Sequence, residues 1–198
     1  MKKLHKRSSE ILLKIVHDKP SNHTLTYQDL VHMLGGRAFG VAILLFSLPA
    51  ILPFSVIPGI AFVFSIPILI FAVQMICRRG SLWLPKLIAH HTISHEKISK
   101  VIEAALPYII KLERFLKPRR SFMTTGIMEV MNGIAIFLLA ILLILPIPLS
   151  NFIFGGCIIL FSLGTTEKDG VFIIMGYIFF ILYLSFIFLL ALAVIKLY

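Results

Sequence analysis

Five polar side chains stand where lipid would be the solvent: Arg37, Gln74, Asn151, Glu167 and Asp169. Arg37 opens a long uncharged run and Gln74 nearly closes it. Asn151 lies at the centre of a second run, and Glu167 and Asp169 follow its end. Ionisable groups near membrane depth are costly and are functional candidates by default. For Arg37, Glu167 and Asp169, as for Glu129 at the head of the second run, the plainer reading is flanking charge at the interface. Asn151 is harder to assign to that role. It sits between Pro148 and Gly155, where its amide can satisfy freed backbone groups or touch a polar solute.

Other chemistry finds little support. His90, His91 and His95 form H-H-x-x-x-H, but no Glu occupies the H-E-x-x-H position that supplies a zinc protease with its base. Solvated surface or headgroup contact is the expected role of these histidines. No Ser-His-Asp order, phosphate-cradling glycine loop or C-x-x-C is present, so neither an enzyme, a metal site nor a cofactor is expected. Cys77 and Cys157 are far apart and read as packing residues rather than a disulfide.

The elements that must position these residues follow from composition. Hydrophobic residues make up 59% and charged residues 14% of the 198, against roughly a quarter charged in soluble domains. No Asp, Glu, Lys or Arg occurs from Ala38 to Ile76, from Val130 to Thr166 or from Val171 to Ile195. A spanning helix needs roughly 20 such residues, so the chain reads as an all-α integral membrane protein. No apolar stretch of signal-peptide length follows Lys2, Lys3, Lys6 and Arg7, so the first membrane segment itself is expected to direct insertion.

The net charge of +10 is concentrated in two places. Of 19 Lys and Arg, seven precede residue 38 and ten fall between 78 and 120. Short loops rich in Lys and Arg stay cytoplasmic and favour anionic headgroups. The N-terminus is therefore expected inside, and the first run is expected to leave and return to the same side. Membrane lipids and anionic headgroups are the expected partners. Nucleic acid is not, because no basic soluble module accompanies the charge. The residues do not set an oligomeric state.

Five segments result. Residues 1–37 form a basic arm, with helices expected over Ser8 to Val16 and Thr26 to Leu34, the second capped by Thr24 or Thr26. Residues 38–76 would reach about 58 Å as one straight helix, nearly twice the roughly 30 Å hydrocarbon core. Pro49, Pro53, Pro58 and Gly59 are expected to divide this run into a broken hairpin, either re-entrant or full. Residues 130–166 have the same design, broken at Pro146, Pro148, Gly155 and Gly156. A shift of 93 positions aligns Gly40 with Gly133 and Ile51-Leu52-Pro53 with Ile144-Leu145-Pro146, which points to an internal repeat. Between the halves, 77–129 is basic and interfacial. There Ser99 to Lys117 has helical amphipathic spacing, with Glu113 on the polar side and a kink or division expected at Pro107. Trp83 reads as an interface anchor. Residues 171–195 form one C-terminal transmembrane helix.

Arg37-Ala-Phe-Gly40, Leu48-Pro49, Leu52-Pro53, Pro58-Gly59, Gln74 and Trp83-Leu84-Pro85 resemble the ExoD family of bacterial membrane proteins. The likeness continues through Glu113-Arg114, Lys117-Pro118-Arg119, Leu145-Pro-Ile-Pro148, Asn151, Leu163-Gly164, Glu167 and Asp169-Gly170. Ser150 departs from the glycine common in that family, and Gly155-Gly156 from a Pro-Ala type pair. The resemblance implies an inner-membrane protein with a role in exopolysaccharide production, without supplying a molecular activity.

Paired, Gly/Pro-interrupted segments in corresponding halves are the sequence pointer to a transporter-type site, since broken backbone in a membrane must be shielded or line a wet cavity. The expectation is binding or translocation of an anionic solute, such as a lipid-linked phosphate. Arg37 and the helix N-termini after the breaks would meet the anion; Gln74 would bind the solute, and Asn151, Glu167 and Asp169 would bind it or couple protons. The alternative is a non-transporting scaffold for polysaccharide synthesis enzymes, its breaks serving as plain turns.

Overall fold

Two helices open the chain, and local chemistry sets both. Helix α1 (Ser8–His17) is short and amphipathic. Helix α2 (Tyr27–Leu34) begins where the Thr26 hydroxyl accepts the Asp29 amide at 3.2 Å, while the Asp29 carboxylate accepts the Thr26 amide at 3.0 Å. This reciprocal cap satisfies two amides that a first turn leaves free. The computed structural model describes residues 8–17, 24–51, 60–85, 89, 92–145 and 150–197.

A single 3-10 turn, Gly35–Arg37, carries α2 into α3 (Ala38–Ile51). Then follow α4 (Ile60–Ile76), α5 (His95–Phe115), a second 3-10 turn at Ser121–Thr124, α6 (Ile127–Ile144), α7 (Ser150–Glu167) and α8 (Gly170–Leu197). Among the described residues, three stretches are long and apolar enough to cross a membrane: Tyr27–Pro49, Ile127–Ile144 and Gly170–Leu189. Ala61–Ile76 and Asn151–Glu167 are apolar but shorter. One small departure from an all-helical chain exists. Strand β1 (Thr24–Thr26) pairs antiparallel with β2 (Thr92–Ser94), Leu25 opposite Ile93. It ties the N-terminal arm to the segment ahead of α5.

The membrane body is built by exchange between the halves. Helix α3 packs chiefly on α7, and α4 chiefly on α6; each also touches its sequence neighbour. A Cβ at Gly40 of α3 would lie 2.8 Å from the Ser162 carbonyl and 2.9 Å from the Thr166 amide of α7. A Cβ at Gly133 of α6 would lie 3.1 Å from the Ile76 amide of α4. Each first helix therefore starts against the end of the other half's second helix. At the far end of α3, Ile51 lies over Gly155 of α7, so the two helices run antiparallel along their length. Ile43, Ile68, Ile136, Leu139, Phe154 and Phe161 fill the space between them. Helix α8 closes against α7, with Gly176 under the Phe161 ring, and presents Ile181, Leu182, Phe186 and Phe188 outward.

Both second helices stop in the same way. Arg78 after α4 has φ 52°, and Lys168 after α7 has φ 55°. The Arg79 amide then reaches back to the Gln74 carbonyl at 3.1 Å, and the Asp169 amide to the Gly164 carbonyl at 2.9 Å. A left-handed residue followed by this six-to-one bond is the Schellman close, which usually employs glycine. Here a basic residue takes the position at both ends.

Several expectations are corrected. Pro49 does not end α3; it sits inside the helix, near its end, where its missing N–H forfeits a single backbone hydrogen bond. Gly155 and Gly156 likewise lie within α7. There Gly155 serves close helix packing rather than a break, because its missing side chain makes room for Ile51. Pro107 neither divides α5 nor terminates it. Pro53, Pro58, Gly59, Pro146 and Pro148 lie outside the described residues. His90 and His91 lie outside them too.

The two kinds of glycine separate in a simple test. Gly156 has open space where a Cβ would go, whereas Gly40 has backbone there. Gly156→Ala should hold or raise thermal stability in detergent, since alanine improves helix propensity by about 1 kcal/mol. Gly40→Ala should destabilise by about 1–3 kcal/mol through overpacking. Equal melting temperatures for the two variants would refute the close approach of α3 and α7.

Candidate functional site

Arg37, Gln74, Glu167 and Asp169 lie where α3 and α6 begin and α4 and α7 end. Arg37 closes the 3-10 turn that leads into α3, and Glu167 is the last residue of α7. The approach at Gly40 brings them together, with Arg37 Nη1 and Glu167 Oε1 3.4 Å apart. Both are buried, at 5% and 8% exposure. Taking two charges out of water is expensive, and their attraction offsets this only while both are present.

Asp169 is more deeply buried, at 1% exposure. One carboxylate oxygen accepts the Val171 amide at 3.0 Å and so caps α8. The other accepts the Lys117 amide at 2.9 Å. Beside it, the Gly170 amide donates to the Arg119 carbonyl at 2.7 Å. A Cβ on Gly170 would come 2.6 Å from the Arg120 carbonyl, so only glycine permits this approach. The segment after α5 is thereby fastened to the junction of α7 and α8.

Gln74 has a comparable role at the end of α4. Its amide oxygen accepts the Trp83 backbone amide at 2.7 Å, and its amide nitrogen donates to the Trp83 carbonyl at 3.1 Å. One buried side chain thus satisfies both backbone groups of a loop residue, in the manner of a strand partner. Asn151, by contrast, is the second residue of α7, 16 positions before Glu167. That places it about 24 Å away along the helix. The five expected site residues therefore do not form one pocket. Arg37 and Glu167 meet, Asp169 follows them in the chain, Gln74 fastens a separate loop, and Asn151 stands at the other end.

Asn132 and Glu113, two further buried polar residues outside that set, belong to the basic end as well. Asn132 of α6 donates to the Met123 carbonyl at 2.7 Å and accepts the Tyr177 hydroxyl at 3.0 Å, joining the turn, α6 and α8. Glu113, expected on the solvent side of α5, is 5% exposed. It accepts both the amide and the hydroxyl of Ser9 at 2.7 Å, which docks α1 on α5. The sequence held a signal for this: Ile109 and Leu116 flank Glu113 at helical spacing, which places the carboxylate at the margin of the apolar stripe. Glu113 and Glu167 both edge an apolar cavity of about 110 Å³ lined also by Leu12, Val41, Leu44 and Leu163. Among the described residues, no group of three or more His, Cys, Asp or Glu could hold a metal.

This arrangement of buried polar residues at the ends of paired membrane helices spans most of the chain. The chain matches the family described as "Exopolysaccharide synthesis, ExoD" over residues 8–189. It belongs to the ExoD family. It is 34% identical over 163 residues to Protein ExoD of Rhizobium meliloti (strain 1021), covering 80% of this chain and 67% of that protein. It is 31% identical over 147 residues to an uncharacterised protein of Synechocystis sp., covering 74% of this chain and 69% of that one. No solved structure matches. An ExoD-family chain with three helical stretches suited to crossing a bilayer is a membrane protein of a family associated with exopolysaccharide synthesis.

The ion pair predicts a mutational pattern that flanking charge would not produce. Glu167→Gln leaves the buried guanidinium without its counter-charge and should lower stability in detergent by about 3–5 kcal/mol. The double variant Arg37→Met with Glu167→Leu should recover most of that loss. Additive losses in the double variant, measured by thermal unfolding, would show that the two side chains are not coupled.

Proposed function

We propose that this ExoD-family protein lies in the bacterial cytoplasmic membrane with its N-terminus inside, and binds or translocates an anionic solute between its two halves. A lipid-linked phosphate suits the chemistry. The observation that carries the reading is the buried Arg37–Glu167 pair, drawn from opposite halves at the point where α3 meets α7. A buried guanidinium paired with a carboxylate is a receptor an anion competes for, because either anion restores the balance of charge.

In this reading Glu167 accepts a proton and becomes neutral. The solute phosphate then replaces it on Arg37, and loss of the proton from Glu167 returns the pair and expels the solute. Proton and anion would thus move together. The exchange packing, in which α3 rests on α7 and α4 on α6, supports an internal repeat whose halves can rock against each other. The two similar left-handed closes at Arg78 and Lys168 support it as well. In this reading the start of α7, with Asn151, stands at the other end of the path. Arg78 and Arg79 after α4 and Lys117, Arg119 and Arg120 after α5 lie at the end where Arg37, Gln74 and Asp169 lie, which supports the inside orientation.

A scaffold is the second reading. It is favoured by the layer that α1 and α5 form through Ile98 and Ile102 against Leu12 and Val16, which leaves Lys100, Lys111, Arg114 and Phe115 exposed.

The test is reconstitution of the purified chain into vesicles with polyprenyl phosphate on one side. Movement or saturable binding should be seen, should depend on a proton gradient, and should fall tenfold or more with Arg37→Ala. An Arg37→Ala protein that folds and behaves as wild type, or a wild type that neither binds nor moves the lipid, leaves the scaffold reading standing instead.

A further inference from the structure

A second site is built apart from Arg37, on the polar side of α2. Here α2 and the segment after α4 enclose a partly open cavity of about 550 Å³, within the range of small-molecule sites. Gln28 and His32 enter from α2, four residues apart and so on one face. Arg79, Ser81 and Trp83 enter from the opposite wall, and Val31, Leu82, Leu84 and Ala89 complete the lining. No carboxylate lines this cavity among the described residues. The nearby Asp29 is engaged in the cap at Thr26. The site therefore offers one permanent cation, an imidazole, an amide and a hydroxyl, with no anion opposing them.

Its far wall is fixed before anything binds. Arg78 turns the chain in the left-handed conformation, the Arg79 amide is held on the Gln74 carbonyl, and Gln74 grips both backbone groups of Trp83. A preformed wall spares the ordering cost that weakens binding at loops. Arg79 stands three residues past the end of α4, and Gln74 in the last turn of that apolar helix holds Trp83 beside it. Arginine's planar fork matches phosphate oxygens. A half-exposed indole suits the carbon atoms next to a phosphate, being apolar with one polar N–H.

We propose that this cavity binds a phosphate monoester, with Arg79 on its oxygens, His32, Gln28 and Ser81 supplying further hydrogen bonds, and Trp83 against the attached carbon chain. The site goes beyond the reading above and shares no residue with it. Membrane lipid and free phosphate both carry this chemistry, and the apolar helix α4 that leads into the site favours the lipid.

Trp83 is the single tryptophan of the chain, so its fluorescence reports this cavity alone. The full chain in a zwitterionic detergent would be titrated with dodecyl phosphate, with dodecanol and with inorganic phosphate. Dodecyl phosphate should give a saturable change and dodecanol none. The midpoint should rise tenfold or more with Arg79→Ala, yet stay near wild type with Lys111→Ala, which removes the same charge from the exposed face of α5. His32→Gln serves as the second variant, with a smaller rise, should Arg79→Ala fail to fold. An equal response to inorganic phosphate upholds the site and assigns its source to solution. No saturable response to either phosphate, or an unchanged midpoint in a folded Arg79→Ala, overturns the proposal.

Discussion

The approach of α3 to α7 at Gly40 is the contact on which the rest of the structure depends. In a bilayer the hydrophobic effect gives helices no reason to associate, because lipid tails are as apolar as leucine. Association rests on van der Waals contact and interhelical polar bonds, and both require small residues where backbones meet. Gly40 lets α3 lie against the Ser162 carbonyl and the Thr166 amide. Gly133 does the same for α6 on α4. Once those two contacts form, the ends of four helices are brought to one side, and their terminal polar residues have no choice of neighbours.

The basic end is the consequence. Helix termini leave amides and carbonyls without intrahelical partners, and at the edge of a membrane these groups must be satisfied close by. Side chains meet that need. Asp169 serves α8 and the Lys117 segment at once, Gln74 serves Trp83, Asn132 links the Met123 turn to Tyr177, and Glu113 holds Ser9. Each of these residues joins an interfacial segment to a membrane helix or to another interfacial segment. The Arg37–Glu167 pair differs, because it joins the two halves and buries charge at both partners. That difference ties the charge balance of the pair to the packing of the two halves.

Much of this was legible in the chain before folding. Uncharged runs marked the membrane segments, Thr26 marked the start of α2, and the paired glycines marked the two helices that begin alike. Arg37, Gln74, Glu167 and Asp169 stood out because polar groups are rare beside such runs. The breaks were over-read at Pro49, Pro107 and Gly155-Gly156, where helix continues. Local propensity treats proline and glycine as punctuation, but packed neighbours in a membrane reverse that cost or turn it into closeness. Glu113 was misplaced for a similar reason: spacing assigns a face to a helix, and only the docking of α1 shows that the polar margin is covered as well.

The sequence by itself determined membrane class, the order and approximate bounds of the helices, and the family, because hydropathy, charge and helix caps act over a turn or a run. Tertiary structure decided which halves exchange partners and which polar residues meet. Arg37 and Glu167 are 130 positions apart, and nothing local relates them. Their meeting is set by the fit of backbone to backbone at Gly40, a property of two surfaces rather than of either stretch alone. The same holds for the cavity beside Trp83, whose walls come from α2 and from the segment that Gln74 holds in place.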